Sequence, residues 1–135
     1  RFRVNPLCAP TRASLLTGLY SLEAGMWRGP GRLAKQPKPD AGWAPEVRRI
    51  KDDVLLLPQY LKRAGYSTGA FGKWHLGDNY PFRPQDRGFG EVLVHGGGGV
   101  GQGRDYWGND YFDDTYLHNG KWKKFSGYCT DIGFD

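Results

Sequence analysis

The feature that most constrains this chain is the segment Cys-Ala-Pro-Thr-Arg at residues 8–12, which runs directly into the apolar helical segment Ala-Ser-Leu-Leu-Thr-Gly. Pro10 suits the first position of a helix, because its missing N–H would be unbonded there in any case. Cys8 then lies at or just before the N-cap, where free N–H groups and the helix dipole favour an anion. Arg12 projects from the same face as Cys8, four residues further on. The sequence therefore predicts a modifiable side chain and a fixed cation directed at one point, suited to an oxyanion.

A second informative segment is Gly-Lys-Trp-His-Leu-Gly at residues 72–77. Apolar residues at helical spacing predict a helix over residues 53–64, with Gly65 just after its end, and residues 66–71 predict a short buried strand. Helix followed by strand is the repeating half of an α/β fold with a parallel sheet. Ligands bind beyond the carboxyl ends of such strands, so Lys73 and His75 are candidate functional residues, while Trp74 is predicted to pack in the core.

The two segments, in this order and with a helix–strand unit between them, resemble the signature of the type I sulfatases, in which the cysteine is oxidised to formylglycine. The resemblance is strongest at residues 5–19 and 57–89. It implies an α/β fold, namely an alkaline-phosphatase-like sandwich with a mainly parallel central sheet. Because sulfatases are several times longer, residues 1–135 are expected to be an internal piece of the larger N-terminal domain, with an upstream strand and a downstream half missing.

The resemblance also implies a mechanism for the converted residue 8, whose hydrated aldehyde would be the nucleophile. One hydroxyl would attack the sulfur of a sulfate ester and release the alcohol, and deprotonation of the second would expel sulfate and restore the aldehyde. Arg12 would orient the hydrate, since its charge is permanent and forked. Lys73 would bind a sulfate oxygen. His75, on the same side as Lys73 if the segment is extended, would help to remove the proton.

Calcium is the cofactor that the resemblance implies, with most of its ligands in regions outside this chain. Only the oxygen of a converted Cys8 would come from residues 1–135. Asp52 and Asp53 are predicted to start a helix, and Asp113 and Asp114 to lie on a hairpin surface, so neither pair is assigned to a metal. A second His and a second Lys of the family would also lie downstream, so this piece alone is not expected to turn over substrate.

Other chemistries use the same residues. The modified residue could act on phosphonate or phosphate esters, whose charge and geometry are close to those of sulfate esters. An unmodified Cys8 would be a thiol made more acidic by Arg12 and the helix end, as in a cysteine hydrolase or phosphatase, or in a non-catalytic relative that binds anions or glycans. We prefer a sulfuric ester hydrolase acting on an aryl or carbohydrate sulfate, with a formylglycine-generating enzyme as its maturation partner.

Composition adds little to these hypotheses. The net charge of +5 comes from scattered basic residues, which favours a solvated surface over nucleic-acid binding. Two cysteines do not make a disulfide framework, and Cys129 is predicted to be a small buried residue. No signal peptide or long apolar segment is visible, although a missing N-terminus could have carried one. Only the family resemblance favours a periplasmic or secreted location.

The remaining segments are predicted to be loops and one hairpin. Residues 21–50 form a long loop whose Trp27, Arg28, Arg32 and Trp43 are either sugar or sulfate contacts or ordinary packing. The glycine-rich residues 96–103 lack the Lys-Ser/Thr ending of a phosphate-binding loop and are predicted to be a flexible connector.

After the connector, residues 115–125 predict a hairpin around Asn-Gly, the pair that suits a type I′ turn. Residues 92–94 predict a further strand, and residues 128–135 the opening of a helix. His95 and His118 have no motif around them, so both are predicted to be structural or exposed.

Overall fold

The computed structural model of this chain describes residues 6–26, 49–102 and 110–133. The prediction for Trp27, Arg28, Arg32 and Trp43 lies outside these ranges. The elements in chain order are α1 (Cys8–Thr17), α2 (Leu57–Arg63), β1 (Gly69–Lys73), a 3₁₀ turn (Pro84–Arg87), β2 (Glu91–His95), β3 (Thr115–His118), β4 (Lys121–Lys124) and α3 (Cys129–Ile132).

One four-stranded sheet organises these elements, in the order β1-β2-β3-β4. β1 and β2 are parallel, and their register places Lys73 opposite His95 at the carboxyl ends of both strands. The β2–β3 and β3–β4 pairs are antiparallel. The predicted α/β class is confirmed, and within the described residues the sheet is mixed.

The predicted hairpin is confirmed as β3 and β4. Asn119 and Gly120 both have positive φ, 48° and 79°, as a type I′ turn requires. Asn119 also fastens the turn to β2, because its Oδ1 accepts the N–H of Val92 at 2.8 Å and its own N–H donates to the Val92 carbonyl at 2.9 Å. The turn residue therefore sets the register of the hairpin against the rest of the sheet.

The first helix begins two residues before Pro10, the predicted first position. Leu7 is the N-cap, with extended φ of −121° and ψ of 145°, so Cys8 is the first helical residue and Pro10 the third. Proline is tolerated there because the N–H of the third helical residue also lacks a partner within the helix. Gly18 ends the helix with φ of 73° and donates its N–H to the Ser14 carbonyl at 2.9 Å.

Small residues, not leucines, form the buried face of α1. Ala9 and Ala13 are fully buried, whereas Leu15 is 73% exposed and Leu19 37% exposed. The sequence predicts an apolar helical segment here, but of its leucines only Leu16 packs against the core. Alanine allows the helix backbone to approach its neighbours closely. The core contains Ala9, Ala13, Ala24, Met26, Ile50, Leu56, Trp74, Leu76, Val92 and Val94.

The start of α2 corrects the assignment of Asp52 and Asp53. Both are exposed in a turn, with Asp52 3.4 Å from Arg49, and the helix begins only at Leu57. Its start is instead defined by Pro58 in the first turn and by Gln59, whose Oε1 accepts the N–H of the N-cap residue at 2.8 Å.

The end of α2 is as predicted. Gly65 follows the C-cap residue and has φ of 86°. The N–H of Tyr66 donates to the Leu61 carbonyl at 3.0 Å, which is the long bond of a Schellman motif. The chain then turns directly towards β1.

The strand that carries Lys73 lies further along the chain than residues 66–71. The backbone before it, at Thr68, bonds to the loop before β2 and accepts the N–H groups of Gly90 and Glu91. Ladder pairing with β2 begins at Gly69 and continues to Lys73. Lys73 is therefore the last residue of the strand, not a residue beyond it.

We predict that Ala13→Leu lowers the free energy of unfolding of the full-length protein by about 1–3 kcal/mol, because no space is left at this fully buried position. Urea unfolding followed by circular dichroism measures this. Leu15→Ala, on the exposed face of the same helix, is the control and should change stability by no more than about 0.5 kcal/mol. Equal effects of the two substitutions would contradict the packing described for α1.

Candidate active site

One hydrogen bond joins the two sequence segments singled out above. Nη1 of Arg12, on α1, donates to the backbone carbonyl of Lys73 at 2.6 Å. The acceptor is the last residue of β1, so the bond holds the start of α1 against the carboxyl end of the strand. A charged donor makes such a bond stronger than one between neutral groups. It brings Cys8 and Lys73 together.

Lys73, more than Arg12, governs the charge state of Cys8. A hydrogen bond from Lys73 and the charge of its ammonium group lower the pKa of the thiol, and the charge of Arg12 makes the smallest contribution. The thiol is exposed at the first residue of α1. The sequence predicted that Arg12 acts on this group, and its charge does lower the pKa of the thiol, although less than Lys73 does. In addition, Arg12 donates to the backbone of the strand that supplies Lys73.

The segment after β1 is a tightly turned loop built around Trp74. This side chain is 4% exposed, as predicted for core packing, and its Nε1 donates to the carbonyls of Gly77 at 3.1 Å and Phe82 at 2.9 Å. Its ring packs edge-on against Phe89 with 5.7 Å between centroids. A side chain at Gly77 would overlap Phe82. The loop therefore closes onto itself through the indole group.

His75 has a left-handed backbone, with φ of 59°. The extended segment that would place Lys73 and His75 on one side is therefore not formed. A left-handed conformation is costly for a non-glycine residue and persists only where the surroundings enforce it. Here the neighbouring Trp74 is fixed by its two indole hydrogen bonds. The direction of the imidazole is therefore set by this turn and not by the alternation of side chains between the two faces of β1.

The surroundings of His75 lower the pKa of its imidazole. Burial lowers its pKa, and the positive charges of Lys73 and Arg12 lower it further, against a smaller opposing effect of Asp78. Nδ1 is buried and has no hydrogen-bond partner within the part of the chain that the structure describes. A neutral imidazole near two cations retains a lone pair that can accept a proton.

His95 is buried beside the end of β1, in agreement with the structural alternative predicted for it. It ends β2 opposite Lys73, is only 8% exposed, and its Nδ1 lies 3.1 Å from the Gly96 carbonyl. Because a carbonyl can only accept, this contact places a proton on Nδ1 and leaves Nε2 as an acceptor. Burial lowers its pKa. The signal that could have found it was positional, because His95 directly follows the strand predicted at residues 92–94, as Lys73 follows the strand predicted at residues 66–71.

A cavity of about 380 Å³ adjoins the strand ends. Lys73 and His95 lie on its wall, and most of the other side chains that line it are aromatic or apolar. Burial raises the pKa of Tyr116 to about 12, and its hydroxyl donates to the Asp110 carbonyl at 2.8 Å. The other lining residues include Phe71, Leu93, Tyr111, Tyr128, Cys129 and Ile132.

No metal site is formed by the described residues alone. Within residues 6–26, 49–102 and 110–133 there is no group of three or more His, Cys, Asp or Glu side chains suited to a metal ion. Asp113 instead accepts the hydroxyl of Ser126 and the N–H of Gly127, both at 2.8 Å, at the base of the hairpin. His118 pairs with Glu91 at the surface. These residues are structural, in agreement with the sequence prediction.

Cys129 differs from its prediction. It is half-buried at the start of α3, and its thiol is free. The predicted opening of a helix in this region is confirmed by α3 (Cys129–Ile132). In addition, none of the helices among the described residues has the length and apolar character needed to cross a membrane.

Residues 2–131 match the protein family described as Sulfatase. N-acetylgalactosamine-6-sulfatase of the pig, Sus scrofa, is 41% identical over 92 residues, which cover 67% of this chain and 16% of the relative. Arylsulfatase of Klebsiella aerogenes is 34% identical over 108 residues, covering 78% of this chain and 22% of the relative. The chain therefore spans less than a quarter of the length of these relatives.

Solved structures share the fold. Ps i-CgsB in complex with k-i-k-neocarrahexaose matches with a TM-score of 0.69 and 26% identity, over 96% of this chain and 29% of that one. BT4656, in complex with its substrate D-glucosamine-2-N,6-O-disulfate, matches with a TM-score of 0.60 and 29% identity, over 96% of this chain and 20% of that one. The expected alkaline-phosphatase-like α/β fold is confirmed.

We predict that Lys73→Met raises the pKa of the Cys8 thiol, because the largest influences that lower it are removed. The rate of iodoacetamide alkylation at residue 8 of the unconverted full-length protein, followed against pH by peptide mass spectrometry, measures this pKa. Lys121→Met removes an exposed lysine of β4 and is the control, with no expected shift. An unchanged profile in Lys73→Met would refute the assigned electrostatic role.

Proposed function

Because the chain belongs to the sulfatase family, we propose that the full-length protein hydrolyses sulfate monoesters at the cluster formed by Cys8, Arg12, Lys73 and His75. The observation that carries this proposal is the double constraint on Lys73. Its carbonyl is held by Arg12, and its ammonium group acts on the side chain at position 8. A nucleophilic position and a cation for the ester's oxyanion are thereby fixed at one point.

A carbohydrate sulfate is the proposed substrate class. The pig relative is named as a sulfatase of N-acetylgalactosamine, and BT4656 is described with a sulfated glucosamine as its substrate. Both names refer to a sulfated sugar, which favours a glycan sulfate over an aryl sulfate. The cavity of about 380 Å³ has Lys73 on its wall but not Cys8, Arg12 or His75, so it adds no support for a substrate bound at residue 8.

Lys73 would bind a sulfate oxygen and stabilise the negative charge that develops during transfer. Its ammonium group is a compact point charge, which suits a tetrahedral anion approached from one side. The backbone of Lys73 is fixed by the β1–β2 ladder and by Arg12. The charge is therefore positioned before substrate arrives, which is how a charged group lowers a reaction barrier.

His75 would act as a base. Its lowered pKa keeps the imidazole neutral at neutral pH, so it can accept a proton from a hydroxyl at residue 8. The proton acquired would leave His75 positively charged beside two cations, so release of that proton is also favoured. Arg12 keeps its charge throughout and would hold the backbone that orients both groups.

Formylglycine made from Cys8 would supply a hydroxyl nucleophile where the thiol now lies. The exposed position of Cys8 at the first residue of α1 fits an oxygen nucleophile facing solvent and substrate. This conversion requires a formylglycine-generating enzyme as a maturation partner. The described residues do not form a calcium site by themselves. From these residues, only an oxygen of formylglycine at position 8 would be a calcium ligand.

The mass of the tryptic peptide from Val4 to Arg12, isolated from the full-length protein of the native source, tests this proposal directly. We expect a peptide lighter by the change from CH₂SH to CHO. A known sulfatase converted in the same cells is the control.

We also expect Cys8→Ala to abolish hydrolysis of a sulfated monosaccharide. The activity of the wild-type protein on the matched phosphate ester is measured alongside, to compare the two substrate classes. An intact thiol together with retained hydrolysis would place the nucleophile elsewhere.

Lys73→Ala should lower turnover of the full-length enzyme about 10²–10³-fold, the usual cost of one charge-stabilising group. Steady-state kinetics with a sulfated monosaccharide measures the loss. Lys121→Ala on β4 removes a surface lysine and should leave turnover unchanged. A near-normal rate in Lys73→Ala would exclude the proposed role of this lysine.

A further inference from the structure

The glycine loop, residues 96–102, lies against the imidazole of His75. A Cβ atom built on Gly98 would lie 2.8 Å from both Cε1 and Nε2 of His75 and 2.7 Å from Oε1 of Gln102. These distances are well inside the normal separation of nonbonded heavy atoms. No side chain larger than hydrogen fits at position 98 while the ring of His75 keeps its place.

Space, not backbone conformation, requires glycine at position 98. Gly97 and Gly101 have positive φ, 66° and 78°, which favours glycine for conformational reasons. Gly98 is not among the residues with positive φ. Its backbone is one that alanine can adopt, so the missing side chain matters because of what it would touch. The atoms that it would touch include Nε2 of His75.

The loop is anchored to the same segment that carries His75. The N–H of Gly97 donates to Oδ2 of Asp78, three residues after His75, at 3.1 Å. At its other end the loop closes on itself, because the N–H of Gln102 donates to the Gly99 carbonyl at 3.1 Å. The glycine loop is therefore joined to the segment that carries His75 by a hydrogen bond and is closed by a turn of its own.

We propose that Gly98 is a positioning residue for His75, so that the glycine loop sets the orientation of the imidazole. The glycine backbone bounds the ring at Cε1 and Nε2, and the ring is carried by a residue with a left-handed backbone. The proposal rests on the proposed function, in which His75 moves a proton at residue 8. Proton transfer requires the acceptor nitrogen within hydrogen-bonding reach, so a small displacement of the ring is costly.

Gly98→Ala in the full-length enzyme is the test, with Gly99→Ala as its matched control. The added methyl group must displace the ring of His75, so we expect kcat to fall about 10–100-fold. KM and the inhibition constant of inorganic sulfate should stay within about twofold, since binding to Lys73 is not altered. A Cβ at Gly99 would meet its nearest atom, Nε2 of Gln102, at 3.4 Å, so that variant should keep the wild-type kcat. Equal kcat values for the two variants would overturn the proposal.

A Cβ at Gly98 would also clash with Gln102, and a double variant separates the effect of this clash from that of the clash with His75. Gly98→Ala combined with Gln102→Ala removes the clash with Gln102 and keeps the clash with His75. We expect kcat to remain low in this protein. Recovery to the wild-type value would assign the damage to Gln102 and overturn the role of Gly98.

Two further measurements test the proposal even if Gly98→Ala does not fold or the wild-type protein hydrolyses no sulfate ester. If Gly98→Ala does not fold, Asp78→Ala removes the anchor without adding volume, and kcat should still fall while KM holds. An unchanged kcat would overturn the proposal. If the wild-type protein hydrolyses no sulfate ester, the proposed function fails, and a crystal structure of Gly98→Ala still decides the positioning role. An unmoved His75 ring in that structure would overturn it.

Discussion

The hydrogen bond from Arg12 to the carbonyl of Lys73 is the contact on which the arrangement of the site depends. It spans 61 positions of the sequence and joins a helix start to a strand end. Closing so long a segment of chain costs conformational entropy, which the helix–sheet core must offset. The site therefore forms only when the fold forms. Neither segment has the geometry by itself, although each carries a recognisable motif.

Sequence reasoning succeeded where the local chain decides the structure. The hairpin at Asn119 and Gly120 and the end of α2 at Gly65 are encoded by a few adjacent residues. It failed where packing decides. The start of α1 depends on which backbone N–H groups lack a hydrogen-bond partner within the helix. Its buried face depends on how closely Ala9 and Ala13 can approach the core.

The site shows the same division. The residue types at positions 8, 12, 73 and 75 were found from motifs, but their relations were not. That Lys73 acts on Cys8 more than Arg12 does, that His75 has a left-handed backbone, and that His95 ends the neighbouring strand all depend on tertiary contacts. A motif identifies chemical groups, whereas only the fold determines which group faces which.

The outer strand β4 shows how the basic character of the chain is used. Among the described residues β4 lies at one edge of the sheet, and all four of its residues, including Lys121, Lys123 and Lys124, are exposed. An unprotected edge strand invites pairing with another copy of the same strand. Like charges on both copies oppose that pairing. Among the described residues, part of the positive charge of the chain therefore lies where it opposes edge-to-edge pairing of β4 with a second copy of itself.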